Sequence, residues 1–209
     1  MFEFILYHGF YMIESIGIIA FALSGIFLAR KKDFDFVGVF TLSCITSFGG
    51  GTLRDLILDI HPVYWVAHSE YIVILFLISF IFYFWLKNTK VKDSWLIAPD
   101  ALGMSFFTIT TAQLSYNLGY PLIIVAILST IVATFGGILR DSLCKKIPFV
   151  FKKHSSLYAT LSFLGASLFF IISKYSILNQ TYIMILVACL IFLARLLSEK
   201  YKLSYRIFD

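Results

Sequence analysis

The sequence predicts an all-α integral membrane protein: seven transmembrane helices, built as two inverted three-helix repeats plus a seventh helix, with glycine-broken helices at the second and fifth positions. Three observations carry that prediction. Hydrophobic residues make up 60% of the 209 residues and charged residues 14%, against roughly 45–50% and 25% in soluble domains. The apolar residues gather into runs long enough to span a bilayer, which takes about 20 residues each. The first half of the chain matches the second at a constant offset of 86 residues.

The apolar runs are Phe10–Ala29, Phe36–Leu58, His68–Leu86, Leu96–Leu114, Tyr120–Leu143, Ser155–Ser173 and Asn179–Leu197. None shows the apolar–polar alternation of a membrane barrel, so all seven are read as helices. Seven spans leave only short connectors and no further soluble domain. No Lys or Arg precedes the first run, and Glu3, His8 and Glu14 interrupt it, so no cleaved leader is expected. Cys44, Cys144 and Cys189 stand far apart without metal-ligand spacing and read as ordinary helix residues.

The net charge of +5 would suggest nucleic acid in a soluble protein. Here the cations cluster between apolar runs, so the membrane explains them and no nucleic-acid partner is expected. With the N-terminus outside, the cytoplasmic connectors hold Arg30, Lys31 and Lys32; Lys87, Lys90 and Lys92; and Lys145, Lys146, Lys152 and Lys153. Arg195, Lys200, Lys202 and Arg206 are assigned to the cytoplasmic tail, and the outer connectors hold Lys174 alone. A split of fourteen to one predicts a cytoplasmic C-terminus. Trp65, Trp85 and Trp95 fall near run ends, where interfacial aromatics belong.

The 86-residue offset brings Glu14 onto Asp100, Gly17 onto Gly103, Phe21 onto Phe107 and Ser43 onto Ser129. It also brings Gly50-Gly51 onto Gly136-Gly137, Arg54-Asp55 onto Arg140-Asp141, Pro62 onto Pro148 and His68-Ser69 onto His154-Ser155. Each repeat holds three spans, and an odd number inverts the second copy. The organisation expected is one membrane domain, with repeats at 10–92 and 96–178, a structural seventh helix at 179–197 and a tail at 198–209.

Consecutive glycines cost about 1 kcal/mol each in a helix relative to Ala. Gly49, Gly50 and Gly51, and Gly136 and Gly137, therefore mark either a kink or unwound turn beside a polar path, or a close helix–helix approach. Ser43, Ser47, Gly50 and Arg54 share one helical face, and Ser129, Ala133, Gly136 and Arg140 repeat it; Thr134 precedes the second glycine pair. Arg54 and Arg140 lie inside runs, where a charge either snorkels to the interface or finds a carboxylate. By depth, Glu14 suits Arg54 and Asp100 suits Arg140. Asp55 and Asp141 point about 100° away around their helices, which makes them awkward partners for their own arginines and leaves them free to attract cations. His68 and His154 read as hydrogen-bonding groups at helix starts. No nucleophile–base pair, phosphate loop or metal-ligand set stands out, so no enzyme, cofactor or structural metal is expected.

The doubled motif, Gly49-Gly-Gly-x-x-Arg54-Asp55 with Pro62 and Gly136-Gly-x-x-Arg140-Asp141 with Pro148, resembles the bacterial and archaeal members of the TRIC family, the trimeric intracellular cation channels. The resemblance runs along nearly the whole chain, although Phe135 stands where the first copy has Gly49. It implies a homotrimer in the cell membrane of a prokaryote. Each subunit would have its own pore beside the second and fifth helices, passing monovalent cations, K⁺ and Na⁺, among membrane lipids. Related sequences labelled as glycine transporters keep an alternative open, a secondary transporter of a small amino acid.

Overall fold

A computed structural model describes residues 2–152 and 157–201, with side chains from residue 9 onward. The described residues form helices joined by short connectors: α1 (Phe2–Lys31), α2 (Phe36–Ile57), α3 (Tyr64–Ala67), α4 (Glu70–Trp85), α5 (Ser94–Asn117), α6 (Leu122–Leu143), α7 (Tyr158–Tyr175) and α8 (Gln180–Lys200), with a single 3-10 turn at Phe149–Phe151. Apart from the four-residue α3, these helices fall on the seven apolar runs, so the second and fifth runs are α2 and α6. His154 and Ser155 of the sequence match, Lys153, Lys202 and Arg206 lie outside the described residues.

Among the described residues, five helices are long and apolar enough to cross a membrane by length and composition: the 9–31 portion of α1, α2, α6, α7 and α8. The other two depart for different reasons. α4 is strongly apolar but has only 16 residues, about 24 Å at 1.5 Å per residue. It turns Phe76, Phe80 and Phe84 outward. α5 has 24 residues but mixes Asp100, Gln113 and a run of Thr and Ser with its apolar residues. Nearly all of them are buried, because α5 packs against α1, α6, α7 and α8 instead of facing lipid. Several of its polar groups find protein partners there, as Thr108 does on Ser162 at 2.7 Å.

α1 packs on α5, and α2 on α6. The expected broken helices are not found: α2 and α6 are uninterrupted α-helix through their glycines. A Cβ on Gly50 would stand 2.5 Å from the Val132 carbonyl oxygen, and one on Gly136 would press still closer on that of Thr46. The glycines thus let two backbones touch, at contacts where even a methyl group would displace a rigid carbonyl. As the chain advances from Thr46 to Gly50, its partners run backward from Gly136 to Val132, so the two helices cross antiparallel. α1 and α5 repeat the arrangement, with Gly17 under the Phe107 ring and Gly103 under that of Phe21.

The ends of α2 and α6 also agree. Both close with a residue in the left-handed region, Asp59 at φ 54° and Lys145 at φ 52°. Both then return an N–H to the last turn, Ile60 to the Asp55 carbonyl at 2.8 Å and Lys146 to that of Asp141 at 2.9 Å.

Candidate functional site: two arginine–carboxylate clusters

Arg54 and Asp55 come from the last turn of α2, and Glu14 comes from the middle of α1; all three are about 1% exposed. Arg54 Nη1 donates to Glu14 Oε1 at 2.7 Å, and Arg54 Nε donates to Asp55 Oδ1 at 2.8 Å. Thr110 Oγ1, from the other half of the chain, lies 3.5 Å from Nη1. The second cluster copies the first. Arg140 Nη1 donates to Asp100 Oδ1 at 2.6 Å, and Nε to Asp141 Oδ1 at 2.9 Å. Arg140 Nη1 also bonds Ser24 Oγ, and Ser24 is the residue 86 positions before Thr110.

These contacts overturn the placement of Asp55 and Asp141 as free carboxylates. The long arginine side chain curls back until its Nε edge meets the next residue, although the two side chains leave the helix in different directions. Each aspartate spends its other oxygen on the connector after its helix: Asp55 Oδ2 accepts from Tyr64 N at 2.7 Å and Asp141 Oδ2 from Phe149 N at 3.2 Å. Neither arginine snorkels. Each cluster of one guanidinium and two carboxylates carries a formal charge of −1, a residual field in a low-dielectric setting.

Each cluster floors a cavity. The one at Arg54 is about 400 Å³ and is lined by Tyr11, Tyr64, His68, Gln113 and Asn117 among others. The one at Arg140 is about 600 Å³ and is lined by Lys31, Asp93, Lys146, Lys152 and Arg195 among others. The first touches the C-terminal end of α5 and the second its N-terminal end, about 20 Å apart at 1.5 Å per residue. Glu14 and Ser24 on α1 reach the two clusters, and Phe21 lies between them. Its ring packs on that of Phe107, centroids 5.3 Å apart, and both rings are buried. An aromatic pair therefore separates the two charged floors.

The expected polar stripe faces protein. Ser47 Oγ donates to the Ile18 carbonyl at 3.0 Å, Ser43 sits 3.1 Å from Ser79 Oγ, and Thr134 returns to the Thr130 carbonyl at 2.9 Å. Ser129 is fully buried, as are Gly50, Gly51, Gly136 and Gly137, while Gly49 is half-buried against Leu139. His68 Nδ1 is 3.1 Å from Glu70 Oε1 between α3 and α4.

Sequence reasoning missed the contribution of α8. Arg195, assigned to the tail, lies inside α8. It is 2% exposed, bonds Glu199 at 3.1 Å, and stands over the rings of Tyr158 and Phe149 at 4.9 and 5.1 Å. Met184 of α8 lines the opposite cavity, so the seventh long helix borders both cavities and is not a support alone. The available signal was Arg195 with Glu199 four residues on, inside an apolar helical run.

This geometry can be set beside known proteins. A family model described as "Glycine transporter" matches residues 11–87 and again 97–174, starting 86 residues apart. The chain resembles the crystal structure of the TRIC trimeric intracellular cation channel orthologue from Rhodobacter sphaeroides with a TM-score of 0.85, 28% identical, covering 93% of this chain and 98% of that one. The chain belongs to the prokaryotic TRIC family. A further TRIC structure, of a prokaryotic channel in 0.5 M KCl, is 35% identical with a TM-score of 0.83, covering 93% and 98% of the two chains. Among sequence relatives, the UPF0126 membrane protein YvgT of Bacillus subtilis is 34% identical over 156 residues, 74% of this chain and 76% of its own. The inner membrane protein YadS of Escherichia coli is 31% identical over 156 residues, 74% of each chain. As a TRIC-family chain this is a multi-pass helical membrane protein.

Proposed function

We propose that the chain is a monovalent cation channel with one pathway per subunit, running from the Arg54 cavity past Phe21 and Phe107 to the Arg140 cavity. The observation that carries the proposal is the pair of matching clusters, each of formal charge −1, on the floors of two cavities at opposite ends of the fold. The floor at the Arg54 mouth attracts cations, and the floor at the Arg140 mouth offsets part of the positive charge of the lysines around it. The buried arginines hold their helices in register and are outnumbered by carboxylates, so they do not repel the ion. The chain's likeness to the TRIC channel structures supports cation permeation and a homotrimer.

The reciprocal contacts of α2 with α6 and α1 with α5 support two inverted repeats. By the cation split, the Arg54 mouth faces outside a prokaryotic inner or plasma membrane and the Arg140 mouth faces the cytoplasm. Cysteines placed at Asn117 and Gly119 are then labelled from outside intact cells, and one at Lys90 only after permeabilisation. External labelling at Lys90 would reverse the orientation.

A second reading, transport of a small amino acid such as glycine, is favoured by the family model's description and by two cavities separated by an aromatic pair. Planar-bilayer recording of the purified protein separates the two. A channel gives discrete picoampere steps carried by K⁺ or Na⁺. A transporter gives none, and glycine uptake saturates instead.

A further inference from the structure

We propose that the cavity at the Arg54 end binds small organic ammonium ions. One wall is aromatic: the Tyr64 ring lies 4.5 Å from that of His68 and 6.2 Å from that of Phe10, and Tyr11 lies 5.3 Å from His68, measured between centroids. Phe10, Tyr11, Tyr64 and His68 all line the cavity. Aromatic faces attract a cation within about 6 Å of the ring centre, most strongly where water is excluded. Arg54 is itself 5.9 Å from the Phe10 ring.

The facing wall holds an unused acceptor. Gln113 is 3% exposed, and its amide nitrogen donates to Asn117 Oδ1 at 2.7 Å and Gln180 Oε1 at 2.8 Å. Both amide hydrogens are thereby used, and Gln113 Oε1 stands buried without a hydrogen-bond partner. A buried acceptor in that state seeks a donor. The floor is Arg54 with Asp55, and Glu14, bonded to Arg54 behind it, leaves the guanidinium outnumbered by carboxylates. A π-faced wall, a carbonyl oxygen without a hydrogen-bond partner and a negative floor around about 400 Å³ suit a cation with an apolar body and an N–H. The opposite cavity, lined by Lys31, Lys146, Lys152 and Arg195, repels the same ligand.

Saturation-transfer NMR on the purified full chain at constant ionic strength tests this with methylammonium and tetramethylammonium as probes. Wild type binds both. Tyr11→Leu and Tyr64→Leu each weaken both by about tenfold, the scale of one desolvated cation–π contact, whereas Tyr64→Phe keeps the ring and keeps binding. Gln113→Leu weakens methylammonium several-fold and leaves tetramethylammonium unchanged, because only the former has an N–H. Phe80→Leu, on an exposed face of α4, changes neither.

The proposal is overturned by absence of binding to wild type. Equal binding by the ring variants at unchanged melting temperature overturns it too, as does binding of glycine but not of methylammonium. Because binding is read without current, a chain that binds ammonium yet conducts nothing refutes the channel reading alone. A conducting chain without ammonium binding refutes this inference alone.

Discussion

The two mouths of the molecule share a floor and differ in their walls. At both, an arginine from the last turn of a glycine-bearing helix meets a carboxylate 40 positions earlier and the aspartate that follows it. Around Arg54 the walls are tyrosine, histidine and amide. Around Arg140 they are lysine and a third arginine, the latter from α8. The floor depends on the twofold arrangement of α1, α2, α5 and α6, so neither copy can drift without disturbing the other. The walls come from α3, α8, the connectors and the outer parts of α1 and α5, and these are free to specialise. The Arg54 mouth is thus weakly negative, and the Arg140 mouth is wrapped in positive charge.

The largest expected loss of flux falls on what the two mouths share. Gly50→Leu or Gly136→Leu drives a side chain into the carbonyl of the crossing helix. Overpacking of this kind typically costs about 1–3 kcal/mol, and more where rigid backbone opposes it. Both variants are expected to lose most cation flux, with melting temperatures below wild type. Wild-type flux from both would remove the crossing from the pathway.

Next is charge pairing. Glu14→Gln leaves Arg54 with Asp55 alone, and Arg54→Gln leaves two buried carboxylates uncompensated, a change worth about 3–5 kcal/mol at a buried pair. The double variant is expected to recover part of the lost stability and flux, with a coupling of about 0.5–3 kcal/mol. Asp100→Asn with Arg140→Gln should behave alike, since that floor has the same bonds. Simple additivity at both ends, in thermal melts and in flux, would mean that the pairs do no work. Additivity at one end only would show that the walls control the floor.

A smaller effect separates the mouths. Replacing Lys146 and Lys152 by Gln removes positive charge at the Arg140 mouth and is expected to raise cation flux several-fold at low salt. The gain shrinks as salt screens the field, over about 8 Å at 0.15 M. Asn117→Lys at the other mouth should lower flux with the same salt dependence.

The smallest effect concerns pH. Lys31 hydrogen-bonds Asp93, and Lys146 lies 3.5 Å from the same carboxylate. Chiefly through the Lys31 bond, they hold the Asp93 carboxyl below the usual aspartate range. A carboxyl lowered by folding contributes stability above its unfolded value, about 3.9. That contribution disappears as pH falls through the lowered folded value. The clasp between α1, the start of α5 and the connector after α6 is therefore intact at neutral pH. Melting curves across this acid window should show a slight loss of stability that Asp93→Asn lacks.

Much of this arrangement was legible before any coordinates. The helices follow from apolar run length, and the Glu14–Arg54 and Asp100–Arg140 pairs follow from depth and the 86-residue offset. Three things were not legible. A glycine pair in a helix reads the same whether it unwinds the backbone or admits a neighbour, and only the Val132 and Thr46 carbonyls decide between them. The Arg54–Asp55 bond was set aside on helical angle, which fixes where a side chain starts and not where a long one ends. Arg195 was lost because its place near the end of α8 suits a tail as well as a buried site.

Accessibility from each side tests the central claim, that two opposed cavities are the mouths of one cation pathway, most directly. In a chain with Cys44, Cys144 and Cys189 replaced by Ala, Gln113→Cys lies in one cavity and Ile97→Cys in the other. A charged thiol reagent is added to one side of a bilayer carrying K⁺ current. The account predicts that each cysteine is blocked from one side only, that the two sides are opposite, and that the current falls in both cases. Block of both from the same side, or modification of both with the current unchanged, would contradict it.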